Sequence, residues 1–471
     1  MDGTGRLPPA RAEGAARHAA EGVARHAIET MRLASPLAVA QLAQMAMGIT
    51  DTVLLGNLGG DALAAGGLGA SLFITVSVVL QGVLTAISVL VSQTRGAGHD
   101  AQVPVLYWTG MLLALLLVAP AFALFSMAEP LLLAVGEPPA LAHDVGRFVD
   151  VLRWGTPGAL LGMGLMRAFL PAIDQGGMIL WVSLASAGTN GALCYGLVHG
   201  SWGLPALGLL GPALATVLSL SAGALALLLL LHGRPALRLF VTWHRPDFGI
   251  LGAMLRLGVP VSATFAVEAG LFLAIALLIG WLGPVPLAAQ QVALNIVSVA
   301  FMVPLAIAQA ANVRVGHRVG ANDYPGARRA GLVAIGLGAA FEIAAALLLL
   351  VAPNAVIGLY LDPMRPGNAE TFAIATGLVN VAVVFQVADG VQSVASGALR
   401  GLGDTRVPFL LAAVGYWGVG FPAAWFLTMH AGWGAAGAWW GLAASLMVVA
   451  ALLTRRFLRR SRVTPERALL P

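Results

Sequence analysis

Of 471 residues, 59% are hydrophobic and 10% charged, and mean hydropathy is +0.86; soluble domains are roughly a quarter charged. Most of the chain is therefore solvated by a bilayer. A net charge of +5 raises nucleic acid as a partner, but lysine is absent and the 26 arginines gather in a few short hydrophilic segments, which excludes a nucleic-acid surface and marks membrane topology instead.

Residues 1–32 alternate Arg, Glu, His and Ala with no continuous apolar run or cleavage site, predicting a cytoplasmic N-terminal tail with a short amphipathic helix rather than a removed signal. Twelve stretches of about 20 mostly apolar residues follow, starting near 33, 67, 104, 150, 178, 206, 257, 287, 329, 372, 407 and 435. Gly59-Gly60-Asp61, Glu137-Pro138-Pro139, Gly283-Pro284 and Pro363 to Pro366 separate some of them, as helix breakers do at interfaces. With that division 23 of the 26 arginines lie on one side, and only Arg147, Arg153 and Arg365 lie opposite. Both termini are thus expected in the cytoplasm.

The chain repeats itself. A shift of 224 residues aligns Pro36 with Pro260, Gly56 with Gly280, Leu58-Gly59 with Leu282-Gly283, Leu63-Ala64-Ala65 with Leu287-Ala288-Ala289, and Gly96-Ala97 with Gly320-Ala321. A weaker echo pairs Asp174 with Asp404, and Gly203 and Gly208 with Gly432 and Gly437. Six spans per repeat make both halves enter from the same side, related by an axis along the membrane normal. The predicted fold is an all-α integral membrane protein, with twelve transmembrane helices in two pseudo-two-fold-related six-helix bundles. Its divisions are a lobe over 33–232, a cytoplasmic linker over 233–256, a second lobe over 257–455 and a basic cytoplasmic tail over 456–471.

Three carboxylates, Asp51, Glu268 and Asp389, interrupt these apolar stretches, where an ionised acid costs at least about 2.5 kcal/mol. On span one, Gln41, Gln44, Met47, Gly48 and Asp51 share a narrow helical arc. Span ten groups Gln386, Asp389, Gln392, Ser393 and Ser396, while span seven offers Thr264 one turn before Glu268 and Phe272 one turn after. Lipid offers such groups no hydrogen-bond partner, so the three seams are expected to line one hydrated chamber. Glu342 has no polar companion on its own helix face, which suggests a structural or snorkelling role. Asp150 and Arg153 are spaced to pair at the outer end of span four. Cys194 excludes an internal disulfide and reads as a small buried hydrophobe.

No lysine means no P-loop, and neither a His-Glu-x-x-His pair nor a nucleophile elbow is present. An enzyme, a nucleotide-driven machine and a cofactor are therefore not expected, which leaves an ion gradient as the energy source. Carboxylates in a low-dielectric chamber can exchange protons near neutral pH, or Glu268 and Asp389 can replace water around Na⁺ with hard oxygen ligands.

Several segments resemble the multidrug and toxic compound extrusion (MATE) transporters, NorM-like branch: Met47-Gly48-Ile49-Thr50-Asp51-Thr52, Leu287 to Asn295, Val313-Arg314-Val315-Gly316, and Gly397 to Gly401 with Asp404-Thr405. The likeness covers about residues 32–455. It implies proton coupling at Asp51 and cation binding at Glu268 and Asp389. It also marks Asn190, with Cys194 where a second asparagine is usual, and the span-eight segment holding Gln290, in place of a common His, and Asn295. Phe265, Phe272 and Met302 are candidate drug contacts. The expectation is a monomeric antiporter in the bacterial cytoplasmic membrane, exchanging small-molecule organic cations for Na⁺ or H⁺. A lipid-linked precursor flippase would be expected to carry more cationic groups in its chamber, and a membrane-embedded enzyme would form product without any gradient.

Overall fold

The computed structural model describes residues 9–362, 364–365 and 367–462, with side-chain surroundings from residue 22 onward. The outer parts of both expected tails, and Pro363 and Pro366 of one expected breaker, lie outside the described residues. Those residues form no strand, as expected where each spanning segment must satisfy its own backbone hydrogen bonds. Twelve helical spans result: α1 Pro9–Leu58, α2 Gly60–Gly96, α3 Asp100–Ser126, α4 over 139–172, α5 Gly176–His199, α6 Leu210–Gly233, α7 Phe248–Gly280, α8 Pro284–Gly320, α9 Tyr324–Val351, α10 Asn368–Gly401, α11 Arg406–His430 and α12 Gly434–Arg460.

Backbone chemistry explains the breaks. Gly59 and Gly283, partners in the repeat, both sit at φ +121°, a conformation open to glycine, and each starts a new helix. Asp247 and Asp323 cap α7 and α9, accepting from Ile250 N at 2.9 Å and Gly326 N at 2.8 Å.

Five starts differ from the sequence-based expectation by more than four residues. α1 already runs from Pro9, α2 begins at Gly60, α7 at Phe248 and α9 at Tyr324. α4 begins at Pro139 rather than near 150, because its first stretch is amphipathic: Ala142, Val145, Phe148, Val149 and Leu152 are buried, while Asp144, Arg147 and Asp150 dilute the hydropathy. Arg147 and the Asp150–Arg153 pair, 2.9 Å apart, therefore sit within a helix and not at its end. α4 is also broken by a 3₁₀ turn at Arg153–Gly155 and a π-helical segment at Ala159–Met166. The expected separate N-terminal helix is likewise absent from the described residues, since α1 runs unbroken from Pro9.

A large apolar core joins residues of α7 to α12 with Ala34 of α1. A second joins residues of α1 to α6 with Met254, Ala306 and Val313. α1 thus straddles the two: Ala34 enters the first core and Leu37 the second. Its N-terminal part is held to α8 by Arg314, which donates to Thr30 Oγ1 and the His26 carbonyl and pairs with Glu29.

The two halves meet at one end, where glycines bring backbones together. A side chain at Gly82 would stand 2.7 Å from Ser262 Cα, and Gly258, Gly96 and Gly320 lie against the carbonyls of Val83, His317 and Gln93. Ser262 Oγ donates to Val79 O (2.7 Å) and Gln93 Nε2 to Gly401 O (2.9 Å) across this seam. At the opposite end Leu58 and Trp281 are exposed. Gly82→Leu is expected to wedge the seam open, and spin labels at Ala101 and Ala321 should report a longer mean distance than in wild type; an unchanged distribution would contradict the close approach.

Candidate functional site: buried charges in each half

In the first half, α1 presents Asp51 to α5 and α6. Its carboxylate accepts from Asn190 Nδ2 at 2.8 Å and from Thr216 Oγ1 at 2.9 Å, and the Cys194 thiol lies near it. Asn190 and Cys194 are fully buried. Cys194 therefore does not simply remove a polar group from this half: it keeps a weak donor beside the acid.

Two turns earlier on α1, Gln41 and Gln44 do not stand free in a chamber. Gln41 Oε1 accepts from Arg167 Nη1 at 2.9 Å and Gln44 Oε1 from Arg167 Nη2 at 3.1 Å. Arg167 follows the π-helical part of α4, and a turn of that kind shifts the helical register and re-aims the side chains beyond it. Gln44 and Arg167 line a small, half-open pocket of about 50 Å³ together with Met47, Met163, Ser183, Ser186 and Ser219.

In the second half, Glu268 of α7 faces α10, with the Gln392 amide and the Arg400 guanidinium near it. Gln392 Oε1 accepts from the Tyr416 hydroxyl, which leaves its NH₂ to serve the carboxylate. Tyr416 lies in a π-helical part of α11. Asp389, only 5% exposed, stands within electrostatic reach of both Glu268 and Glu342, and its Oδ1 has no hydrogen-bond partner among the described residues. Three carboxyl groups so close cannot all ionise without repulsion, so the cluster favours a proton or another cation that reduces it.

Glu342 is 0% exposed, which rules out snorkelling. It packs against Gly390 of α10 and takes Gln386 as its polar neighbour; the companion that its own helix face lacks comes from the next helix. The three acids of the polar seams fall into two hydrogen-bonded surroundings. Glu268 and Asp389 are brought together, whereas the hydrogen-bond partners of Asp51 come from α5 and α6 alone. The hard oxygen donors of Glu268 and Asp389 suit a proton or Na⁺, although no cage of three or more metal-ligating residues is preassembled among the described residues.

The remaining candidates scatter. Gln290 of α8 is 0% exposed with neither amide atom bonded among the described residues. Asn295 is exposed and donates to Gln291 O of its own helix at 2.9 Å. Thr264 likewise bonds Pro260 O at 2.9 Å. Ser393 is buried beside Gln392, Phe272 packs against the apolar core, and Met302 is half-buried. Phe265 lies under Arg400, 6.0 Å from guanidinium carbon to ring centre, and close to Gly82 across the seam. Sequence reasoning missed Thr216 and Tyr416, lone polar groups in apolar helices, and took Arg167 and Arg400 for interfacial topology markers.

A family model described as MatE matches the chain twice, over residues 36–196 and 260–426; the two matches start at the repeat partners Pro36 and Pro260. Over 440 residues the chain is 57% identical to a Burkholderia mallei protein named "Probable multidrug resistance protein NorM", covering 93% of this chain and 94% of the relative. It is 55% identical over 430 residues to "Multidrug resistance protein NorM" of Burkholderia vietnamiensis, covering 91% and 93%. Its fold is similar to that of the eukaryotic MATE transporter AtDTX14, with a TM-score of 0.86 at 21% identity, covering 95% of this chain and 100% of the other. It is also similar to an outward-facing MATE family transporter of the MOP superfamily, with a TM-score of 0.85 at 18% identity, covering 93% and 96%.

Proposed function

The chain belongs to the MatE family, and on that premise we propose that it is a secondary active multidrug efflux antiporter, exporting cationic and lipophilic organic compounds in exchange for Na⁺ or H⁺. The observation that carries this reading is the pairing of half-buried Glu268 with buried Asp389, with one Asp389 carboxylate oxygen unpartnered among the described residues. A fixed negative site of that kind takes a small cation or a positively charged drug, and occupancy by one opposes occupancy by the other. Asp51, hydrogen-bonded on both oxygens, is the second exchange site.

The clustering of arginine supports cytoplasmic termini in the bacterial cytoplasmic membrane. The seam between the halves then lies on the cytoplasmic side, and the conformation is open outward. The lobes over 33–232 and 257–455 rock about this seam, with residues 233–256 linking them. Both acid clusters are complete within one chain, which supports a monomer. The carboxylates serve ion exchange, not bond cleavage.

Purified protein in liposomes provides the test. Export of a cationic dye should follow an imposed Na⁺ gradient, a pH gradient or both, and stop when ionophores collapse them. Flux indifferent to both gradients would overturn the antiport reading.

A further inference from the structure

Each half carries an arginine near the end of its fourth span, half-buried Arg167 on α4 and buried Arg400 on α10, 233 residues apart and so outside the strict register of the repeat. The same 224-residue shift that aligns the repeat takes Gln44 to Glu268 and Gln41 to Phe265. The surroundings correspond: Arg167 bonds Gln41 and Gln44, while Arg400 lies over Phe265 and is charge-coupled to Glu268. One feature differs. The second half sets a carboxylate against its guanidinium, and the first half sets a neutral amide.

Among the described residues Arg167 forms no ion pair. Its bonded acceptors are two uncharged carbonyl oxygens, and a half-buried cation inside a membrane span is costly to keep without a counter-charge. It also lines a cavity with Gln44, Ser183, Ser186 and Ser219, and Ser219, 1% exposed, has a hydroxyl with no partner among the described residues. Met47, Met163, Leu220 and Leu227 supply apolar wall. A guanidinium fork with nearby hydroxyls and a soft apolar wall matches an organic carboxylate on a lipophilic body.

We propose that Arg167 is an anion-recognising subsite: the cavity takes the carboxylate of amphiphilic substrates, so that zwitterions are accepted alongside simple organic cations. This rests on the transport reading above and specifies its substrate class. A zwitterion bound here carries its own counter-charge to the arginine. Its positive end is then free to seek Asp51, seven residues from Gln44 on α1 and about 10 Å along the helix axis.

The test uses two dyes that differ only at the acid: tetramethylrhodamine, a zwitterion at neutral pH, and its methyl ester, a cation. Binding to purified full-length protein is followed by fluorescence anisotropy, and the readout is the ratio of acid to ester affinity. Arg167→Gln should lower that ratio about 10-fold, the worth of a charge-assisted hydrogen bond. Gln44→Glu, which copies the second half and supplies an internal carboxylate, should lower it similarly, and Arg167→Lys should lower it less. In wild type, benzoate should displace the acid dye better than benzamide does. Ratios within twofold of wild type in the first two variants, or equal displacement by benzoate and benzamide, overturn the subsite. Gradient-driven flux of both dyes without any such selectivity would defeat this inference alone; selectivity without gradient-driven flux would defeat the transport reading instead.

Discussion

Asp389→Asn and Glu268→Gln should each reduce gradient-driven export about 30-fold or more, because truncating one partner of a buried charge interaction costs about 2–5 kcal/mol and each ~1.4 kcal/mol is a factor of ten. The two should not behave alike in stability. Asp389 is nearly buried and faces two other carboxylates, so removing its charge relieves repulsion and should raise the thermal midpoint of the purified protein. Glu268 faces Arg400 and the Gln392–Tyr416 pair, so its neutralisation leaves a buried guanidinium without its acid and should lower the midpoint. Proteoliposome flux and a thermal-shift assay on the same preparations check both halves of the expectation. Equal midpoints for the two variants would count against the arrangement of charges described above.

Asp51→Asn should separate coupling from folding. The native carboxylate accepts two hydrogen bonds, from Asn190 and Thr216. An asparagine can keep the first through its carbonyl, and its NH₂ can donate to Thr216, whose hydroxyl both donates and accepts. The fold is then preserved while the exchangeable charge is gone. Gradient-driven flux should drop at least about tenfold, the change that ~1.4 kcal/mol produces, with the thermal midpoint almost unmoved. In a Thr216→Val background that reversal of donor and acceptor is impossible, and Asp51→Asn should then cost an additional 1–3 kcal/mol or so for a buried unpaired donor. A large loss of stability in Asp51→Asn alone would show that the carboxylate is chiefly structural.

Much of this was legible in the sequence, for a physical reason: a charge or amide inside twenty apolar residues is costly enough to stand out, and a repeat at fixed spacing needs no coordinates. What periodicity cannot supply is the neighbour. Gln41 and Gln44 share an arc of α1 with Asp51, which identified the polar face and not the fact that Arg167 occupies it. Glu342 looked solitary because its companion Gln386 belongs to another helix. Thr216 and Tyr416 carry no charge and so left no mark on a hydropathy profile, and the start of α4 was hidden because its exposed face is charged. Arg167 and Arg400 were counted with arginines at membrane surfaces, a grouping that positions within two turns of a helix end invite.

The glycine facets of the seam bear on how costly the motion is. Where Gly82, Gly96, Gly258 and Gly320 touch the opposing chain, main chain rests on main chain, with no long side chains from those positions to withdraw, reorient and rehydrate at every stroke. Parting such smooth faces gives up dispersion contact spread over many weak atom pairs and little rotamer order. The joint behaves like a bearing: close enough to exclude water when shut, shallow enough in energy for the modest work of one exchanged ion to release it.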